Sequence, residues 1–240
     1  MELDYTVEDI GSELKICSTD DHHFGTDAIL LFDFAEVKRK DRVCDFGTGC
    51  GIIGVLTAKK CSNQVFGVDI QPKAVAQAKI SAQMSGLMDR FTPILADIKE
   101  LKGCFSAGDF TLIFCNPPYY KVGSGKISDN EAKVIARQEI KCNIDDIACE
   151  AYKYLCDKGR LCVCHKPERL ADVMASFRKY KIEPKRIQFV KSGADKSPWL
   201  FLIEGRKNAS AGLTVLPDLV IKPGSEPTDT YAKYREEMKK

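Results

Sequence analysis

From residue 41 onward, short runs of β-branched or apolar residues alternate with longer stretches whose apolar positions recur every three or four residues. Arg42-Val43-Cys44-Asp45-Phe46 predicts a strand, followed by a glycine-rich turn and a helix over 51–60. Val65-Phe66-Gly67-Val68-Asp69 predicts a second strand, and a helix over 72–85 follows, with Ala74, Ala78 and Ala82 on one face. Strands over 91–95 and 109–115 come next, then a helix over 143–157, a strand over 160–165, and a helix over 167–180 opened by Pro167. Two last strands, over 186–191 and 199–205, flank a Gly/Ser/Pro loop. This alternation predicts an α/β fold, a mostly parallel sheet with helices on both faces.

Two stretches break the rhythm. Lys121 to Ser128 is rich in Gly, Ser and Lys and predicts a loop. Residues 1–40, with the strand-like Leu14-Lys15-Ile16-Cys17, and the tail 207–240 are too short to be domains. They are expected as lid or edge extensions of a single domain, 1–240, whose core is 41–206.

Composition supports that scale: 240 residues, 44% hydrophobic and 29% charged, can bury one sizeable core. The acidic start, Met1-Glu2-Leu3-Asp4, and the lack of any apolar run near 18 residues predict a cytoplasmic protein with no membrane contact. The eleven cysteines are odd in number and mostly set in apolar runs such as Leu161-Cys162-Val163-Cys164, so they read as reduced core residues. Cys142, Cys149 and Cys156, seven apart, would share a helix face, which burial explains better than metal. Cys162-Val163-Cys164-His165 lacks the gap of a zinc knuckle, and no metal is expected. Charge is unevenly spread. Residues 1–40 carry four basic against ten acidic groups, 41–157 have 14 of each, and 158–240 have 18 against 10. A basic last third is compatible with an anionic partner such as nucleic acid, and equally with a solvated surface.

Chemistry concentrates at strand ends. The first strand leads into Asp45-Phe46-Gly47-Thr48-Gly49-Cys50-Gly51-Ile52-Ile53-Gly54. Read from Gly49, this is G-x-G-x-x-G with Asp69 20 residues on, a dinucleotide fingerprint. Read from Asp45, it is D-x-G-x-G-x-G, the pattern of S-adenosylmethionine binding. A pyrophosphate would meet an unwelcome carboxylate at Asp45, whereas a cationic amino-acid end gains a countercharge there. Asp69 could accept from ribose hydroxyls, and Asp97, after the third strand, from the adenine amino group. Three acids at successive strand ends favour S-adenosylmethionine, although each alone could cap a helix.

The fourth strand, Leu112-Ile113-Phe114-Cys115, delivers Asn116-Pro117-Pro118-Tyr119 to the same edge. Pro117 holds Asn116 out of the helical region, so the Asn116 side-chain oxygen and the Pro117 carbonyl can offer two acceptors to an NH2 group. Tyr119 offers a stacking face. Alone, the tetrapeptide reads equally well as a strand-end turn; beside the cofactor edge it reads as a grip on a planar amine.

In these motifs the chain resembles the Rossmann-like class I methyltransferases that modify amino groups, and more narrowly the bacterial tRNA1(Val) (adenine-N6)-methyltransferase family. The likeness runs over nearly the whole chain and includes Phe24-Gly25-Thr26-Asp27-Ala28, Ala136-Arg137-Gln138-Glu139, His165-Lys166-Pro167-Glu168-Arg169-Leu170 and Leu202-Ile203-Glu204-Gly205-Arg206-Lys207. Family members commonly carry His where Gln138 stands, so position 138 receives no role. The resemblance implies a seven-stranded sheet with an antiparallel last strand. It implies that Phe24 and Thr26 lie against the cofactor, although Thr26-Asp27 also reads as a helix cap, and that Asp45, Gly47, Thr48, Gly49 and Gly51 surround its methionine part. Asp69 and Ile70 would hold the ribose, Asp97 and Ile98 the adenine. Asn116, Pro117 and Tyr119 would be catalytic, with Asn116 also beside the cofactor. Pro118, Tyr119, Lys121, Lys126, Arg137 and Lys166 would meet a tRNA substrate. No obligate protein partner is expected. Alternatives are methylation of another RNA, methylation of a protein glutamine amide, and a non-catalytic RNA-binding protein.

Overall fold

The structure, a computed structural model, describes residues 4–19, 23–117 and 143–221. Pro118, Tyr119, Lys121, Lys126, Arg137 and Gln138 lie outside the described residues. The elements run β1 (Thr6–Gly11), β2 (Leu14–Ser18), α1 (Thr26–Phe34), β3 (Val43–Phe46), α2 (Ile52–Lys60), β4 (Val65–Asp69), α3 (Pro72–Met84), β5 (Phe91–Leu95) and β6 (Phe110–Cys115). After the undescribed stretch come α4 (Ile144–Tyr154), β7 (Leu155–His165), α5 (Leu170–Lys179), β8 (Ile182–Lys191), β9 (Pro198–Lys207), β10 (Thr214–Val215) and β11 (Leu219–Val220).

The main sheet has the order β10-β8-β9-β7-β6-β3-β4-β5, with β11 also on β8. The strands from β7 through β5 are parallel, and β9 is antiparallel to both β7 and β8. Chain order leads outward from β3 through β4 to β5, then returns to β6 on the other side of β3. The carboxyl ends of β3 and β6 therefore flank a topological switch point, where open α/β sheets take ligands.

Both faces of the sheet are covered, which is why its strands read as continuous apolar runs. Val43, Leu112, Phe114, Cys162 and Cys164 face one core layer with residues of α1, α2 and α3. Cys44, Phe46, Ile113, Leu161 and Val163 face the other, packed by Ile147, Ala148, Val173 and Phe177 of α4 and α5. Ala74, Ala78 and Ala82 are fully buried, as their spacing predicts. Gln77 and Ser81 interrupt that small-residue stripe and tie the β1–β2 hairpin to it. Ser81 Oγ accepts from the Cys17 amide (3.0 Å) and donates to the Cys50 carbonyl (2.8 Å), while Gln77 Nε2 donates to the Cys17 carbonyl (3.3 Å).

The seven expected strands are present, and the sheet reaches nine because two-residue β10 and β11 pair along the open edge of β8. Strands that short carry no alternation to detect. The α4 helix stops at Tyr154 rather than 157, because Leu155 turns extended (ψ 137°) and starts β7. Cys142 lies outside the described residues; Cys156 is a strand residue and neither it nor Cys149 is fully buried, so Cys149 and Cys156 do not share a helix face. Among the described residues no helix is long and apolar enough to cross a membrane.

Candidate active site

The glycine-rich turn leaves β3 with Gly47 and Gly49 at positive φ (76° and 55°), a region closed to most side chains. The amides of Gly47 and Thr48 both donate to the Val68 carbonyl (2.8 and 3.0 Å), which clamps the turn over the end of β4. A Cβ added at Gly47 or Gly49 would meet no atom within 4 Å, so the outer side of the turn is open. Gly51 differs: its Cβ would lie 3.0 Å from Ala78 and from the Phe91 ring, which makes that glycine a requirement of helix–sheet packing.

Three carboxylates stand along this edge as the register demands. Asp45, on β3, is 2% exposed. Burial pushes its carboxyl up to about 7; the Thr48 hydroxyl opposes the rise and the Asp69 carboxylate adds to it. Asp69 closes β4 and is spoken for by backbone: Oδ2 accepts from the Gly49 amide (3.0 Å) and Oδ1 from the Gln71 amide (2.9 Å). Asp97 follows β5 and caps a 3-10 turn, Ile98–Glu100, by accepting from the Lys99 amide (2.9 Å). Next to Asp69, Ile70 is 40% exposed on the edge, whereas the Ile98 side chain is buried in the core. An open turn flanked by two mutually repelling buried carboxylates suits a cationic ligand and disfavours a pyrophosphate. That donor set fits S-adenosylmethionine.

Phe46 on β3 pairs with Cys115, the last residue of β6, and Cys115 pairs with Val163 of β7. Asn116 therefore emerges between the glycine-rich turn and the end of β7, with Pro117 buried behind it. Its Nδ2 donates to Asp27 Oδ2 of α1 (3.2 Å), and its Oδ1 accepts from Cys164 Sγ of β7 (3.1 Å). Sequence reasoning missed both partners. Asp27 lay inside a singled-out motif but read as a helix cap, and it does also accept from the Ala28 amide (2.9 Å), while the N-cap position itself is Gly25. Cys164 looked like one more apolar strand residue. Phe24 packs half-buried against the layer that holds α1.

His165 ends β7 buried against Phe201, its ring 18° from parallel, with Nδ1 accepting from the Lys166 amide (2.8 Å). Burial, with Arg169 beside it, pushes its pKa down to about 4, so the ring is neutral at pH 7. Lys166 Nζ sits 5.5 Å from the Trp199 ring centroid. Since His165 pairs with Phe201, Trp199 and the β8–β9 loop extend past the end of β7, on the edge that carries Asn116. The chain's fold thus gathers Asp45, Asp69, Asp97 and Asn116 on one edge and sets Lys166 at its rim.

A family model described as a methyltransferase domain matches residues 37–205. The chain is 29% identical over 189 residues to the tRNA1(Val) (adenine(37)-N6)-methyltransferase of Porphyromonas gingivalis (strain ATCC BAA-308 / W83), covering 76% of this chain and 73% of that one. It is 28% identical over 198 residues to the protein of the same name from Phocaeicola vulgatus, covering 82% of each. In structure it resembles a predicted O-methyltransferase from Agrobacterium tumefaciens, with TM-score 0.69, 19% identity, and coverage of 87% and 96%. It also resembles geranyl diphosphate C-methyltransferase from Streptomyces coelicolor bound to S-adenosyl-L-homocysteine, with TM-score 0.56, 14% identity, and coverage of 75% and 78%. These two structures share the fold.

Proposed function

The chain belongs to the methyltransferase-domain family, an enzyme family whose methyl donor is S-adenosylmethionine, and on that premise we propose that it methylates N6 of an adenine in tRNA, the anticodon-loop adenine of tRNA1(Val). The observation that carries the reading is the position of Asn116, one residue beyond β6 at the switch point, against the open glycine-rich turn. The relatives named for tRNA adenine methylation support this choice of substrate.

An adenine amino group is a poor nucleophile because its lone pair is delocalised into the ring. Two acceptors along the N–H directions, Asn116 Oδ1 and the Pro117 carbonyl, would favour a more tetrahedral nitrogen and turn the pair toward the methyl group. Bound S-adenosylmethionine supplies an electrophilic methyl on a sulfonium, and transfer leaves a neutral thioether. The adenine nitrogen would take the methyl as the C–S bond breaks, and would then give up one proton to solvent. No strong base is needed, and the neutral His165 is not asked to be one. The chain's contribution is positioning and electrostatics. Asp45 would balance the cationic amino-acid end. From sequence, Tyr119 would stack on a base drawn out of its helix.

Lys166 over Trp199, together with exposed Lys196 in the β8–β9 loop, would meet RNA backbone beside the target base. The test is incubation with labelled S-adenosylmethionine and total bacterial tRNA, then nucleoside analysis. Label in N6-methyladenosine, absent for Asn116→Ala at unchanged cofactor affinity, is the expected result. Label confined to protein, or to another nucleoside, would overturn the reading.

A further inference from the structure

A carboxamide has two ends of nearly the same shape and opposite chemistry: oxygen accepts, NH2 donates. Only the oxygen end can accept from a substrate amine. A flipped Asn116 would present donors to a donor, and the amine nitrogen would lose its acceptor. Something must hold the side chain the right way round.

We propose that Asp27 is the positioning residue that sets this orientation, with Cys164 completing the grip from the opposite side. The inference rests on the reading of Asn116 as the amine acceptor. An ionised carboxylate only accepts, so Asp27 Oδ2, at 3.2 Å, admits only the NH2 end of Asn116. Cys164, with its thiol 3.1 Å from Asn116 Oδ1, donates to the oxygen end, and because its sulfur is only a weak acceptor it favours that end. Turning the amide over would set the Asn116 oxygen against the Asp27 carboxylate and trade the thiol's donated bond for a weak N–H···S contact. A carboxamide oxygen accepts two hydrogen bonds, so the thiol bond is compatible with an amine bond.

The carboxylate is itself held. Asp27 Oδ1 accepts from the Ala28 amide at 2.9 Å, which fixes it to the first turn of α1. Room for it comes from Gly25, where an added Cβ would stand 2.5 Å from Asp27 Oδ1. The Gly25-Thr26-Asp27 segment is thereby explained as one device: the glycine clears the space that the carboxylate fills. Three elements, α1, β6 and β7, meet on one side chain, over separations of 89 and 48 residues.

Two measurements test this. In protein labelled with 15N-asparagine, the Asn116 side-chain NH2 signals, identified by their loss in Asn116→Ser, should move and exchange faster with solvent in Asp27→Ala and in Gly25→Ala. In steady-state transfer to tRNA, Asp27→Ala should lower kcat about 10- to 100-fold, the scale of one charge-assisted hydrogen bond, with the S-adenosylmethionine Kd within about twofold. Asp27→Asn keeps an acceptor and should recover part of the loss. Cys164→Ala should lower kcat by a few-fold and Cys164→Ser restore it. Unmoved Asn116 signals in Asp27→Ala, or an unchanged kcat with a weakened cofactor Kd, would overturn the proposal. If Asp27→Ala does not fold, Asp27→Asn and Gly25→Ala decide by the same signals. If the wild-type protein transfers no methyl to adenine, the functional reading falls, while the NMR signals still decide the grip.

Discussion

Replacing Asp45 by Asn separates what a buried carboxylate costs from what it does. Burial raises this carboxyl from 3.8 to about 7, with Thr48 opposing and Asp69 adding to the rise. A folded-state value above the unfolded one means that the folded protein keeps a proton the unfolded chain releases. The group therefore weighs nothing against folding below about pH 3.8, destabilises progressively as pH rises, and exerts its full penalty above about 7. Three decades in proton affinity, at about 1.4 kcal/mol per decade, set that penalty near 4 kcal/mol at about pH 8 and below about 2 kcal/mol at about pH 5. Asn is neutral throughout and escapes it. For a chain of this size about 1 kcal/mol moves Tm by about 2–4 °C, so Asp45→Asn should melt several degrees above wild type at about pH 8. The gap should shrink by more than half at about pH 5. In calorimetric titration at about pH 8, the same variant should bind S-adenosylmethionine at least about tenfold more weakly, since the ligand's cationic end loses its countercharge. A variant that melts no higher than wild type at about pH 8, with the same pH dependence, would refute the reasoning.

Gly54→Ala would place a Cβ 2.2 Å from the Phe91 ring; denaturant unfolding should show a loss of about 1–3 kcal/mol, partly recovered by adding Phe91→Leu. Glu204 is fully buried and meets Arg186 and Arg206 at 2.9 Å and Arg160 at 3.5 Å, so Glu204→Gln should cost about 3–5 kcal/mol by the same measurement. Lys166→Ala should weaken tRNA binding without changing base preference. The slope of log K against log salt should fall by about one.

Strands β3, β4 and β6 were legible because they are buried on both faces and rich in apolar residues, with Asp45, Asp69 and Asn116 at or beside their ends. The helix-to-strand change at Leu155 was not, since the sequence punctuates that junction with Gly159, four residues late, rather than with a capping glycine. The edge strands β10 and β11 owe their existence to the open side of β8 rather than to any pattern of their own. The partners of Asn116 were hidden for another reason. Asp27 is 89 residues away and Cys164 is 48, and only the strand order brings α1 and β7 to the same strand end. A cysteine amid Leu161, Cys162 and Val163 carries no local mark of that duty.

Helix α1 is fastened at both ends. Its last turn is held by arginines of β7 and β8: Arg186 Nη2 donates to the Phe34 carbonyl (2.8 Å) and Arg160 Nη1 to the Ala35 carbonyl. Its first turn carries Asp27 against Asn116. Between the two anchorages the helix is a ruler marked in residues, and its length is set by count rather than by composition. Substitutions at the half-buried Thr26 or Asp33 leave the count intact. A single inserted residue would advance the helix by about 1.5 Å and turn its start by about 100°, swinging Asp27 off Asn116 while every side chain of the site remained in the chain.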